Sequence, residues 1–201
     1  MRRNGVAVIL GAAVLAATLA SAGCAPVATK TSAMTDSGAA GTSVASTTAA
    51  TPTGGAVHMM AYSINSDGPF FRVILTGAIG DYGPAVTVYP NGQVDPQHTS
   101  DMELKLTHGS FRLRIDNLEK KLLLAFRRWP ANPATCSGRI TATGAVPVVA
   151  GSGTGLYRGI SGRFAMAVTV DEVDVKPVCD GTGKFLAQVI LLTGAGTVSF
   201  R

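Results

Sequence analysis

Residues 163–170 read Arg-Phe-Ala-Met-Ala-Val-Thr-Val, and this stretch decides the fold class. Its large apolar side chains recur at every second position, from Phe164 to Val170, and smaller or polar residues stand between them. A period of two places alternate side chains on opposite faces of an extended strand. The stretch therefore predicts a β-strand that turns one face toward a hydrophobic core.

The same period occurs elsewhere in the chain. Residues 102–106 and 111–116 alternate in the same way, with charged residues on the second face. Three further runs are apolar on both faces, at 70–75, 85–89 and 185–192. We expect the outer faces of these runs to be covered by a neighbour, a ligand or a partner chain. Turn residues separate the runs, and short strands at such spacing predict an all-β sandwich or barrel.

The stretch 118–126 is ambiguous. Its sequence, Leu-Glu-Lys-Lys-Leu-Leu-Leu-Ala-Phe, has a helix-forming composition, but its nine residues also fit a strand that follows a turn at 116–117. We favour the strand. The segment 129–133, with two prolines, is predicted to be a loop in either case, and it leads into Cys136.

Glycines dominate residues 151–162, which read Gly-Ser-Gly-Thr-Gly-Leu-Tyr-Arg-Gly-Ile-Ser-Gly. The segment is not the Gly-x-Gly-x-x-Gly dinucleotide fingerprint, because the spacing fails and a strand pattern follows it where that motif needs a helix. We interpret it as a connection between strands. Its glycines adopt positive φ or allow close backbone approach, and Tyr157 covers one end of the core.

This segment also carries a family resemblance. Gly153, Gly155, Tyr157, Gly159 and Gly162 resemble the Gly-Thr-Gly-x-[Tyr/Phe]-x-Gly-x-x-Gly segment of the allene oxide cyclase and dirigent-like β-barrels. The resemblance implies an antiparallel barrel of about eight strands with an apolar interior. It aligns no catalytic position of either family outside the glycine motif, and a fold marker carries no chemistry itself. We therefore predict that the protein is not an enzyme and needs no cofactor.

The N-terminus has the composition of an export signal. Two arginines precede an apolar run at 6–20, which at 15 residues is shorter than the roughly 20 that a membrane-spanning helix needs. Residues 21–24, Ser-Ala-Gly-Cys, resemble the lipobox of bacterial lipoproteins, although Ser21 stands where leucine is usual. The alternative is an ordinary Ala-x-Ala cleavage site at 20–22, which would leave a secreted protein without lipid.

We favour lipidation, which makes residues 1–23 the signal peptide and Cys24 the lipid-bearing N-terminus. Residues 24–55, rich in Ala, Thr, Ser and Gly, then form a flexible tether, and residues 56–201 form the β-barrel domain. Signal and tether together resemble those of the small exported lipoproteins of mycobacteria. That resemblance implies a protein anchored on the outer face of the cytoplasmic membrane.

The cysteine count supports this interpretation. The chain has three cysteines, Cys24, Cys136 and Cys179. An odd number in an exported chain leaves one cysteine without a disulfide partner. If Cys24 carries lipid, Cys136 and Cys179 remain as a pair, and an oxidising compartment favours a disulfide between them. Neither of the two has a second Cys or His at ligand spacing, so we do not expect a metal site.

The remaining polar residues form no catalytic motif that we can identify. His58, His98 and His108 lie far apart, and we expect them at the surface or at strand ends. Of the three acids between 171 and 174, the first points to one face of a strand and the other two to the opposite face. We interpret these acids as a solvated strand end.

Two functions fit this composition. The mature chain has 15 basic and 12 acidic residues, a formal net charge of +3, and no recognisable nucleic-acid-binding module. The first function is a lipid-anchored envelope protein whose barrel binds an apolar small molecule or lipid. The alternative is a structural or interaction barrel that forms a homo-oligomer without ligand. We favour the first, and we rank an enzyme acting on an apolar substrate last.

Overall fold

The computed structural model describes residues 53–64, 70–97 and 100–201. The predicted signal peptide, Cys24 and almost all of the predicted tether lie outside the described residues. The first strand begins at Gly55, one residue before the predicted start of the domain. The elements are β1 (Gly55–Ile64), β2 (Phe70–Gly77), β3 (Asp81–Val88), β4 (Asp101–Leu106), β5 (Gly109–Arg114), α1 (Asp116–Phe126), β6 (Ser137–Pro147), a 3-10 turn (Gly155–Tyr157), β7 (Ser161–Asp174) and β8 (Phe185–Ser199).

The eight strands form one antiparallel sheet, in the order β5-β4-β3-β2-β1-β8-β7-β6, which curls into a half-barrel. This confirms the predicted all-β antiparallel architecture. The first and last strands, β1 and β8, are neighbours in the middle of the sheet, and β1 pairs along its whole length with residues 189–198 of β8. On β7 the predicted alternation holds, because Phe164, Met166, Val168 and Val170 are all buried on the concave side.

The two edge strands of the sheet meet at one end of the half-barrel. Leu113 of β5 forms a bridge with Val148, the residue that follows β6. The glycine-rich segment then runs along β5, where the Thr154 N–H donates to the Ser110 carbonyl over 2.8 Å. We call the end of the half-barrel at which this segment lies the glycine end. Helix α1 follows β5 in the chain and packs against β6.

Residues 118–126 are helical, so the expectation of a strand there is wrong. In a strand, Lys120 would share a face with Leu118 and Leu122, and a lysine would have to enter the core. Helical spacing brings Leu118 and Leu122 together on one buried face and leaves Lys120 exposed. Packing against β6 stabilises the helix, because Leu118 lies against that strand at Gly144.

Candidate functional site

The convex side of the sheet carries a broad apolar surface at its centre. Its residues lie on four neighbouring strands, β3, β2, β1 and β8, and each side chain is between 37% and 65% exposed. We call this surface the outer wall; it consists of Met60, Ile64, Phe70, Ile74, Tyr82, Val189 and Leu191.

Strand register makes the outer wall continuous. Met60 pairs with Ile74 across β1 and β2, and Ile74 pairs with Tyr82 across β2 and β3. On the other side of β1, Ile64 pairs with Val189 of β8. Cross-strand partners lie within side-chain contact distance, so these residues form one patch rather than scattered exposed positions.

The outer wall arises from the runs that are apolar on both faces. In the run 70–75, Phe71, Val73 and Leu75 are buried on the concave side. Phe70 and Ile74 of the wall lie on the convex side. The run 85–89 differs, because the chain covers it with its own residues: Val94 forms a bridge with Val88. The run 85–89 is therefore covered by the chain itself. The outward residues of the runs 70–75 and 185–192 stay exposed.

Formal charge is almost missing from the central strands. Arg72 is the one Lys, Arg, Asp or Glu in β1, β2 and β8 together. A hollow of about 290 Å³ adjoins this arginine and is also lined by Phe70, Phe71 and Pro84. A second hollow, of about 210 Å³, continues over Val86 and Val94. Both hollows contain Phe70 of the outer wall, and the second hollow reaches Glu103 and Lys105 of β4, where the apolar surface ends.

The concave side of the sheet is occupied by buried side chains. One contiguous hydrophobic cluster includes residues from all eight strands and from α1. Phe111, Tyr157 and Phe164 are among its largest fully buried members, and the rings of Phe111 and Tyr157 meet edge to face at 5.3 Å. Aromatic rings in this arrangement fill the glycine end of the core.

Buried Asp81, at the start of β3, organises the polar contacts of the glycine end. Its carboxylate accepts hydrogen bonds from the hydroxyls of Tyr157 and Thr107, each at 2.5 Å. The backbone N–H groups of Tyr82 and His108 also donate to it, at 2.7 and 3.1 Å. The Thr107 N–H donates as well, at 3.2 Å, so five separate donors converge on the carboxyl group of a residue that is only 4% exposed.

These contacts decide the protonation of the network. Burial by itself raises the pKa of Asp81, but hydrogen bonds from Thr107, Tyr157 and the backbone outweigh it and hold the pKa well below its usual range. Burial and the bond to the Asp81 carboxylate raise the pKa of Tyr157. Asp81 is therefore an ionised acceptor and Tyr157 a neutral donor at physiological pH.

His108 lies in the turn between β4 and β5, at a strand end as expected, but it also has a partner that the sequence did not indicate. Its Nδ1 is 3.1 Å from Asp81 Oδ2, and its ring is 42% exposed. The two residues are 27 positions apart, and only the pairing of β3 with β4 brings them together. Of the other histidines, His58 is exposed on the convex side and His98 lies outside the described residues.

The structure places the predicted glycine motif beside this network. Gly155 has φ +55°, and a Cβ there would overlap the His108 carbonyl, to which Leu156 donates its N–H at 3.0 Å. Gly159 and Gly162 also have positive φ. A Cβ at Gly153 would overlap the Tyr157 carbonyl. Gly155 thus lets the connection pass close to the start of β5, and Tyr157 covers this end of the core.

The acids at the end of β7 are not a solvated strand end, so that expectation is wrong for two of them. Glu172 and Asp174 are 5% and 1% exposed, whereas Asp171 points outward to Arg139. The faces were predicted correctly, but the concave face stays buried to the last residue of the strand. Gln188 of the neighbouring β8 donates to Glu172 at 2.5 Å.

Burial changes the ionisation of two acids in the domain. It raises the pKa of Glu172 to about 7, and the neighbouring Asp174 carboxyl acts in the same direction against the Gln188 hydrogen bond. In α1, burial and the charge of Asp95 raise the pKa of Glu119 to about 7. Both groups therefore hold protons in the folded chain at pH values where an ordinary glutamate has lost them.

We expect the domain to lose about 1–3 kcal/mol of unfolding free energy as the pH rises from 5 to 8. Between the ordinary pKa of 4.5 and the folded value of about 7, the folded chain binds protons that the unfolded chain has released, so stability falls through this window. Urea unfolding at several pH values measures the slope. Glu172→Gln mimics the protonated acid and should flatten it.

Asp171→Asn is the matched control for that slope. It changes a neighbouring acid on the opposite face of β7, where the carboxylate meets Arg139. We expect this variant to keep the wild-type pH dependence. If Glu172→Gln also kept the wild-type slope, the buried acid would not be the source of the effect.

The predicted disulfide is present. It joins Cys136, which precedes β6, to Cys179, in the connection between β7 and β8, and the two Cα atoms are 4.9 Å apart. Trp129 packs nearby, against Gly138 and Gly181, and stacks on Phe126 at 5.5 Å between ring centroids. The bond and the indole together tie the 129–133 loop to this end of the sheet.

Within the described ranges, no group of three or more His, Cys, Asp or Glu side chains is arranged to hold a metal ion. The same part of the chain contains no helix of sufficient length and apolar character to cross a membrane. Comparisons with protein-family models, with curated proteins and with solved structures gave no match. The resemblances to allene oxide cyclase-like barrels and to mycobacterial lipoproteins therefore stay predictions.

Proposed function

We propose that this chain is a non-enzymatic interaction protein of the cell envelope, anchored through a lipid on Cys24 to the outer face of the cytoplasmic membrane. The outer wall is the observation that carries the proposal. Single exposed apolar residues are normal on proteins, but a continuous apolar patch over four strands is typical of an interaction site. The barrel domain then serves as the binding module, and the tether holds it clear of the lipid headgroups.

The filling of the concave side supports an external rather than an internal binding surface. Small barrels either fill with their own side chains or enclose one ligand. Here a continuous cluster of buried side chains from every strand lies on the concave side, and the two hollows described above open on the convex side. An apolar molecule inside the barrel, the function favoured from the sequence, is the alternative.

The Asp81 network supports a structural rather than a catalytic use of the glycine end. An aspartate beside a histidine is part of several catalytic arrangements. In this chain, however, the carboxylate already accepts hydrogen bonds from the Tyr157 and Thr107 hydroxyls and from three backbone N–H groups. We therefore assign Asp81 to holding the β3, β4 and glycine-segment backbones together.

A photo-crosslinking amino acid at position 74 tests the proposal in the native host. Ile74 lies in the outer wall and is 47% exposed, so we expect a crosslinked adduct in the membrane fraction. The same amino acid at position 123 is the control, because Leu123 is 51% exposed but lies on α1. Equal adduct formation at both positions, or none at either, would contradict an interaction surface on the wall.

Intact mass of the uncrosslinked protein in the same fraction tests the anchor. We expect a chain that begins at Cys24, carries an acyl-glyceryl addition and has two hydrogens fewer than its reduced form. A Cys24→Ser variant should lack the addition. An unmodified chain that begins at Gly23 and occurs only in the culture fluid would overturn the lipid anchor and support the secreted alternative.

A further inference from the structure

We infer that the outer wall pairs two copies of this chain, face to face about a two-fold axis. The inference rests on the proposed interaction function and names the partner. In a two-fold interface the same patch occurs on both sides, so the patch must complement itself. The size of the outer wall and the uncharged pair Ile74 and Met60 within it fit this requirement.

The size of the wall fits a stable dimer. The exposed fractions of its seven side chains correspond to on the order of 700 Å² of apolar surface per copy, against about 800 Å² that each partner buries in a standard interface. The outward residues between them, such as Tyr62 and Thr193, add to this area. Sheets that pack face to face interdigitate such side chains across roughly 10 Å.

The charge of the wall limits where the two-fold axis can pass. Near such an axis a charged residue approaches the same charge on the partner, so the patch must be free of charge there. Arg72 is the single formal charge in β1, β2 and β8, and it lies inside the wall, opposite Tyr62. The axis therefore passes beside Arg72, where Ile74 and Met60 lie next to each other without a charge.

A lipid surface fits the wall less well. Segments that bind anionic membranes combine apolar residues with several Lys or Arg at the same face. The dense cationic cluster of this chain, Lys120 and Lys121 with Arg127 and Arg128, is on and just after α1, which packs against β6 rather than against β1 or β2. The wall itself contains no lysine.

Sedimentation velocity of the oxidised mature chain, with Cys24→Ser to prevent lipidation, tests the inference. We expect a species of twice the chain mass from low micromolar concentration upward. Ile74→Lys places two like charges in the centre of the interface and should weaken dimerisation by roughly a hundredfold or more. Leu123→Lys, at a position of similar exposure on α1, should leave the dimer unchanged.

Two further measurements separate the possible failures. Circular dichroism and the urea midpoint establish that Ile74→Lys is folded, and Ile64→Lys, in another part of the wall, provides a second variant. A monomer at all concentrations, combined with a position-74 adduct to a different molecule, would overturn the second copy but leave the interaction function standing. A monomer without any specific adduct would overturn both. A dimer that persists in both wall variants would place the interface elsewhere.

Discussion

Asp81→Ala is expected to lower the unfolding free energy of the domain by about 3–5 kcal/mol. The substitution removes the acceptor shared by the Tyr157 and Thr107 hydroxyls and by the N–H groups of Tyr82 and His108. Buried donors without an acceptor each cost free energy, and the gap beside Tyr157 adds a packing loss. Urea unfolding followed by the fluorescence of Trp129, the single tryptophan of the chain, measures the change.

Two variants bracket this effect. Tyr157→Phe removes one donor and keeps the ring, so it should cost about 1–2 kcal/mol. Asp180→Ala removes an exposed carboxylate that accepts hydrogen bonds from Thr182 in the same loop, and we expect an unchanged urea midpoint. A loss in Asp81→Ala no larger than that in Tyr157→Phe would contradict the role of Asp81 as the centre of the network.

The Asp81 effect should also depend on pH in a defined direction. The pKa of Asp81 is lowered in the folded chain, so its ionised form contributes stability that is present above the ordinary value of 3.8 and is lost as the pH falls. The difference between the wild type and Asp81→Ala should therefore shrink below about pH 4. This acid limb is opposite in sign to the loss expected from Glu172 and Glu119 at higher pH.

Loss of the Cys136–Cys179 bond is expected to cost about 3–4 kcal/mol, because the bond closes a loop with a sequence separation of 43 residues. The closed loop restricts the unfolded chain, so its removal raises the entropy of that state. Chemical denaturation of Cys136→Ser/Cys179→Ser against the oxidised wild type gives the value. Buried Cys136 also accepts the Asp174 N–H through its carbonyl, at 2.8 Å, and serine keeps that contact.

Reduction provides the control for this double variant. Wild-type protein treated with a thiol reductant should unfold at the same urea concentration as Cys136→Ser/Cys179→Ser. Cys24→Ser should leave the midpoint of the oxidised protein unchanged, because Cys24 is outside the predicted barrel domain. A loss of less than about 1 kcal/mol in both the reduced and the double-serine protein would contradict the loop-entropy argument.

The errors made from the sequence have a common physical origin. In 118–126 the local pattern allowed both a helix and a strand, and packing of Leu118 on Gly144 of β6 selects the helix. At the end of β7 the alternation assigned Glu172 to the correct face but not its burial. Burial at a strand end depends on neighbours such as Gln188, which arrive from another part of the chain.

The candidate sites were predicted to different extents. The two-faced apolar runs indicated that outer surfaces needed a cover, and the register of β1, β2, β3 and β8 joined the remaining residues into one wall. The Asp81 network had no usable signal, since Tyr157 lies 76 positions away from its partner. The glycine segment indicated that Tyr157 covers the core, but a lone aspartate looks like any other surface residue until the strands are paired.

By itself, the sequence determined the properties that depend on neighbouring residues along the chain: the strand alternation, the glycines of the close connection and the cysteine pair left for a disulfide. Tertiary structure alone decided the helix at α1, the burial of Glu172 and Asp174, and which apolar outer faces stay exposed. Alternation is a local consequence of extended backbone geometry. Burial is set by which distant strands lie alongside, and no local period records that.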